Sequence, residues 1–142
     1  MKRILVPVDG SEMSLRALGM AIDARAQVRP TPELHVLTVQ APILSRNVTR
    51  FFSAEEIDAY YQEEARETLN AARDVLDAAN VTAHEKMLVG PVAQTIADYV
   101  RQQGCDHIFM GTRGLGAVGS LVLGSVALKL LSLVETPVTL VP

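Results

Sequence analysis

Short apolar runs alternate along this chain with segments whose apolar residues recur every three or four positions. Arg3 to Val8 is the first run, β-branched and apolar enough for a buried strand. Asp9-Gly10-Ser11-Glu12 then carries turn and helix-start chemistry: Asp9 or Ser11 can cap, and Glu12 suits the positive helix end. Leu15, Leu18 and Ile22 recur on one helical face beside Ala17, Ala21 and Ala24, and Pro30 and Pro32 end that helix. Leu34 to Val39 is a second strand. Ala41 to Phe52 has no clean period, contains Pro42 and Asn47, and reads as a loop. Ser53 and Glu56 have the spacing of a capping box. The helix they open has the clearest stripe: Ile57, Tyr61, Ala65, Leu69, Ala72, Leu76 and Ala79. Glu63, Glu64, Arg66, Glu67, Arg73 and Asp74 then form its solvated face. Val81 to Val89 is a weaker strand, broken by Gly90-Pro91. A helix with Val92, Ile96, Tyr99 and Val100 runs to Gly104, and His107 to Met110 is a fourth strand. A glycine-rich loop leads to a helix from Ser120 or Gly124 to Leu133, and Val138 to Val141 is the last strand.

Helices between strands imply parallel strands, because a parallel connection must cross over. Near-continuous apolar strands imply a sheet covered on both faces. The pattern therefore predicts a single doubly wound α/β domain of five parallel strands, with helices on both faces, spanning residues 1–142. In such sheets ligands bind beyond the carboxyl ends of the strands, where the strand order reverses. The loops after the first four strands carry Asp9-Gly10-Ser11, Val39-Gln40-Ala41, Val89-Gly90-Pro91 and Gly111-Thr112-Arg113-Gly114.

The last of these holds most of the chemistry. Glycines 111, 114, 116, 119 and 124 are five of the nine in the chain. Glycine permits positive φ and lets backbone N–H groups approach an anion. Strand, glycine loop and helix N-terminus together make a phosphate-binding geometry, to which Ser125 can add a hydroxyl and Arg113 a charge. Gly114-Leu115-Gly116-Ala117-Val118-Gly119 matches a dinucleotide GxGxxG, but that motif belongs in a first βα turn with an acid about 20 residues later. Here it follows the fourth strand, and Glu135 precedes the last one. The P-loop pattern is absent, since Lys2, Lys86 and Lys129 all lie outside the loop.

Composition narrows the partners. The net charge is −3, from 13 Lys+Arg and 16 Asp+Glu, without the basic excess of a general nucleic-acid binder. One cysteine excludes an intramolecular disulfide and an all-cysteine metal site. No apolar run approaches the roughly 20 residues of a membrane helix, so no membrane insertion is expected. The opening Met1-Lys2-Arg3-Ile4-Leu5-Val6 starts like a signal peptide, but Pro7 and Asp9 cut it short, and a cytoplasmic location is expected. His35 and His107 fall near strand starts, His84 within the third strand and Cys105 before the fourth, so no protein metal cluster and no nucleophile are expected.

Gly111-x2-Gly114-x9-Gly124-Ser125 resembles the ATP-binding motif of the universal stress proteins, G-2x-G-9x-G-(S/T). Lys2 to Ser11, Val89-Gly90-Pro91, Asp106 to Gly114 and Thr136 to Val141 are similar to other segments of that family, so the resemblance spans essentially the whole chain. It implies the strand order 3-2-1-4-5, with the reversal between strands one and four. It implies ATP as ligand; Mg²⁺ can arrive with the nucleotide, held mainly by phosphates and water. Carried over by position, Pro7, Val8 and Asp9 lie near the adenosine and Val39 near the adenine. The phosphate loop falls on Gly111, Thr112, Arg113, Gly114, Leu115, Gly116 and Ala117, and the second anchor on Gly124, Ser125 and Val126. Leu115 to Leu121 is more apolar and glycine-rich than the family usually shows. On the residues alone, Asp9 can accept a ribose hydroxyl or cap its helix, and Val39 can flank a base or serve the sheet. The resemblance also implies a homodimer paired through Val138–Val141, with further association open.

The function expected is that of an ATP-binding stress or regulatory protein. Nucleotide would modulate the dimer or a regulatory partner, with little or no turnover. A slow ATPase or phosphotransferase, and a nucleotide-free protein-interaction module, are the alternatives. Ala41 to Phe52, with Arg46, Arg50, Phe51 and Phe52, is either the responding element or an ordinary solvated loop.

Overall fold

Five parallel strands pair in the order β3-β2-β1-β4-β5. They are β1 (Arg3–Pro7), β2 (Glu33–Gln40), β3 (His84–Val89), β4 (His107–Gly111) and β5 (Val138–Val141). The helices are α1 (Glu12–Ala26), α2 (Arg46–Phe51), α3 (Ala54–Ala78), α4 (Val92–Gln103) and α5 (Ser125–Leu133). The computed structural model describes residues 1–43, 45–115 and 122–142.

Strand alternation sends side chains to two separate cores. Ile4, Val6, Val8, Leu34, Val36 and Phe109 pack with Ala17, Leu18, Ala21 and Ile22 of α1 and with Ala72 and Leu76 of α3. Leu5, Leu37, Ile108 and Met110 pack on the other face with Ile96, Ala97, Tyr99 and Val100 of α4 and with Ala127 and Leu130 of α5. Each fully buried Leu or Ile contributes about 1.5–3 kcal/mol of burial, so the two-faced sheet expected from the apolar runs is also the main source of stability.

The helix ends follow their local chemistry. Ser11 caps α1 by accepting a hydrogen bond from Ser14 N at 3.2 Å. Both halves of the Ser53–Glu56 capping box are present at 3.1 Å. Gly104 closes α4 in the left-handed region at φ 66°.

Four details differ from the sequence reading. Residues 46–51 form α2 rather than loop; none of its residues is buried, so it carries no apolar period to read. β3 begins at His84 instead of Val81, which puts His84 at the start of its strand. α1 ends at Ala26, ahead of either proline, where the N–H of Gln27 turns back onto Ala24 O and Arg25 O. Ala79 is exposed at the end of α3 and does not extend the buried stripe.

The central pairing explains where the sheet opens. Val8 N donates to Leu37 O, and Arg3 O accepts from Asp106 N. By alternation, the backbone of residue 7 faces β4. Pro7 has no hydrogen to offer there. Pairing of β1 with β4 stops at Leu5↔Ile108, and the two strands part beyond it.

Candidate functional site

A cleft of about 270 Å³ fills that parting, near the lower end of the usual size of small-molecule sites. One wall is the end of β1, with Pro7, Val8 and Asp9. The other is the end of β4 and its loop, with Met110, Gly111, Thr112, Arg113, Gly114 and Leu115. Gly124, Ser125, Val126 and Ala127 close it at the start of α5, and Leu37, Val39, Val92 and Ile96 form an apolar floor. The structure thus brings together every predicted site residue that it describes: Pro7, Val8, Asp9, Val39, Gly111, Thr112, Arg113, Gly114, Leu115, Gly124, Ser125 and Val126. Gly116 and Ala117 lie outside the described residues. Ser14, Leu37, Val92, Ile96, Met110 and Ala127 also line the cleft and were missed, because inward positions on a strand or helix look like core. The available signal was parity: Leu37 stands two residues before the predicted Val39 on the same sheet face.

Asp9 organises the polar end. Its Oδ1 accepts the N–H of Ser11 at 2.9 Å, and its Oδ2 accepts the N–H of Leu115 at 3.0 Å. Capping of α1 is therefore left to Ser11, while Asp9 ties the first loop to the glycine loop. Burial alone would raise the pKa of Asp9. The hydrogen bonds from Ser11, Leu115 and Ser14 together outweigh it, and the carboxyl sits below its ordinary value. A carboxylate has about four acceptor positions, so Asp9 keeps capacity for a hydroxyl of a bound molecule.

Gly111 and Gly114 serve close approach here and not positive φ. A Cβ on Gly114 would overlap Asp9 Oδ2, and one on Gly111 would stand 2.9 Å from Met13 Cβ. Positive φ occurs at Gly10, where the chain turns out of β1 at φ 87°. The two ends of the glycine loop are pinned together: Gly124 N donates to Thr112 O at 2.7 Å, and Thr112 N donates to Val141 O at 2.9 Å. Gly124 is the N-cap of α5 and offers no side-chain cap. The N–H groups of Ser125, Val126 and Ala127 come too early in the helix for an intrahelical acceptor, and all three residues line the cleft. The arrangement combines an apolar slot, an acceptor and the first backbone N–H groups of α5, with Arg113 among the lining residues. It is suited to a flat apolar group bearing hydroxyls and an anion.

Cys105 is buried away from the cleft, and burial pushes its thiol up to about 11, so it stays a thiol at neutral pH. Among the described residues, no helix is long and apolar enough to cross a membrane.

Comparison with known proteins places the chain in a family and matches its fold. The universal stress protein MJ0531 of Methanocaldococcus jannaschii is 29% identical over 99% of this chain and 81% of its own length. A Thermus aquaticus universal stress protein, from the QAH/OAS sulfhydrylase 3′ region, is 34% identical over 99% of this chain and 98% of its own. Among solved structures, the hypothetical protein MJ0577 superposes with a TM-score of 0.83 at 25% identity, covering 99% of this chain and 94% of that one. A universal stress protein in complex with cAMP superposes at 0.72 with 23% identity, covering 99% and 97%. An Arabidopsis thaliana family protein with AMP bound superposes at 0.68 with 18% identity, covering 99% and 91%. The universal stress protein family matches residues 1–142 without a break. The chain belongs to the universal stress protein family.

Proposed function

We propose that this protein binds an adenine nucleotide, ATP in the first instance, in the cleft between β1 and β4, and acts by binding rather than by turnover. The observation that carries this reading is the meeting of Asp9, the glycine loop and the α5 N-terminus over an apolar floor in a single cleft. Two structures of the same fold carry cAMP and AMP, which supports an adenine ligand. In this reading the base lies against Val39 and Leu37, and Asp9 accepts a ribose hydroxyl. The phosphates meet the backbone donors of Arg113, Gly114 and Ser125–Ala127, while the Thr112 N–H stays with Val141 O, and Arg113 is the neutralising side chain. Mg²⁺ arriving with the nucleotide is held mainly by phosphates and water. The described lining offers one carboxylate, Asp9, and one cation, Arg113. That is a sparse set for orienting a water and stabilising a transferring phosphoryl group. Nucleotide occupancy then modulates a homodimer paired through β5, or the surface offered to a regulatory partner.

The test is direct. Protein purified without added nucleotide is denatured, and its supernatant is assayed for adenine nucleotide; the emptied protein is titrated with ATP by calorimetry. Bound or titratable adenine nucleotide at one per chain is expected. Its absence in both measurements would overturn the reading.

A further inference from the structure

We propose that Glu33, His35 and His84 form a binding site for a first-row transition-metal dication, at the opposite end of the sheet from the nucleotide cleft. The alternation of β2 places Glu33, His35, Leu37 and Val39 on one sheet face. Leu37 and Val39 line the cleft at the carboxyl end; Glu33 and His35 occupy the amino end of the same strand. Parallel pairing sets His84, the first residue of β3, directly beside His35. One ligating atom from each of the three side chains lies within 4.8 Å of the others.

The second observation is His35 itself. It is 5% exposed, and its Nε2 is buried without a hydrogen-bond partner. Its Nδ1 is 2.8 Å from the Tyr99 hydroxyl. The nearest acid, Glu33 Oε2, stands 3.6 Å from Nε2, too far for a hydrogen bond. With the Nδ1 hydrogen donated to Tyr99, the Nε2 lone pair points to the space shared with Glu33 and His84. A hydrogen bond to the far nitrogen is how metal-binding histidines are held in orientation. The His84 ring lies against that of His35, with centroids 4.7 Å apart, and is exposed, so an ion has a route in from solvent. Arg3 Nε holds Glu33 Oε2 at 2.8 Å; a carboxylate has two oxygens and can serve both a guanidinium and a cation.

Two imidazoles and a carboxylate select zinc and its borderline-soft neighbours over Mg²⁺ or Ca²⁺, which prefer all-oxygen shells. Three protein ligands leave a coordination position for water or another ligand.

The full chain, free of any histidine tag and of nucleotide, is titrated with Zn²⁺ by calorimetry, and with Co²⁺ while its visible d–d bands are followed. One ion per chain is expected. Glu33 and His84 are exposed, so Glu33→Gln and His84→Ala leave the core intact, which circular dichroism checks. Each should weaken Zn²⁺ binding by roughly tenfold or more, since even loss of an outer-shell partner costs 10–100-fold, and should alter the Co²⁺ bands. Should one variant fail to fold, the other decides. Absence of saturable binding, or binding that both variants leave unchanged, overturns the proposal.

Discussion

At Gly114 an added methyl group would overlap the Asp9 carboxylate, whereas at Gly124 it would lie 3.4 Å from Arg113 Cα in ordinary contact. Two glycines of one motif are therefore held by different demands. Gly114→Ala should push Asp9 off the exposed Leu115 N–H and cost about 0.5–1.5 kcal/mol, the usual net worth of a hydrogen bond. It should also weaken nucleotide binding, so its binding defect would not by itself report on phosphate contacts. Gly124→Ser keeps the N-cap position and should change stability by no more than about 0.5 kcal/mol, because Ser caps at least as well as Gly. Urea unfolding of the two variants checks this; equal destabilisation would show that the Asp9 contact does not restrain the loop. Spacing alone placed these glycines at the site, but it could not say why glycine stands there. Positive φ and close backbone approach both leave the same letter in a sequence.

Helices with a buried stripe were readable even without a side-chain cap, as α4 and α5 show, and a helix with neither was not. α3 is the clear case: Ala65, Ala72 and Leu76 are buried, and Ser53 and Glu56 cap each other's backbone. Ser53→Ala should cost about 1 kcal/mol, the usual value for a lost N-cap. Thermal unfolding should register it as a lower Tm with the fold otherwise retained, and an unchanged Tm would mean the box frays in solution. α2 lacks both signals, with no buried residue and no side-chain cap, and so its helical turns pass for loop. The ends of β1 and β4 were legible because Pro7-Val8-Asp9 and the glycine loop break their strands with distinctive residues. The grouping of Glu33, His35 and His84 was not. It depends on the register of β2 against β3, and each histidine taken alone is only a residue near a strand end.

On the scale of the whole molecule, the sheet ends in two unlike edges. β3 carries Glu85 and Lys86, and charge on an edge strand discourages pairing with another chain. β5 reads Val138-Thr139-Leu140-Val141, short and uncharged. Its backbone divides by alternation. Pro137 O accepts from Ile108 N, and Val141 O accepts from Thr112 N, so residues 137, 139 and 141 face β4. Val138 and Leu140 therefore turn their N–H and C=O groups outward, to the side where a second copy would pair. Leu140→Pro removes one outward donor and leaves the β4 ladder in place. If the homodimer forms through β5, this variant should shift to monomer in sedimentation equilibrium at concentrations where the parent is dimeric. Its circular dichroism should stay native, with a lower Tm for the packing lost on the α4–α5 face. Thr139→Pro is the matched control, because it removes a donor directed at β4 and should destabilise the sheet itself. A Leu140→Pro protein that folds and remains dimeric would place the dimer contact elsewhere, and the exposed Leu128 and Leu131 of α5 would be the next surface to alter.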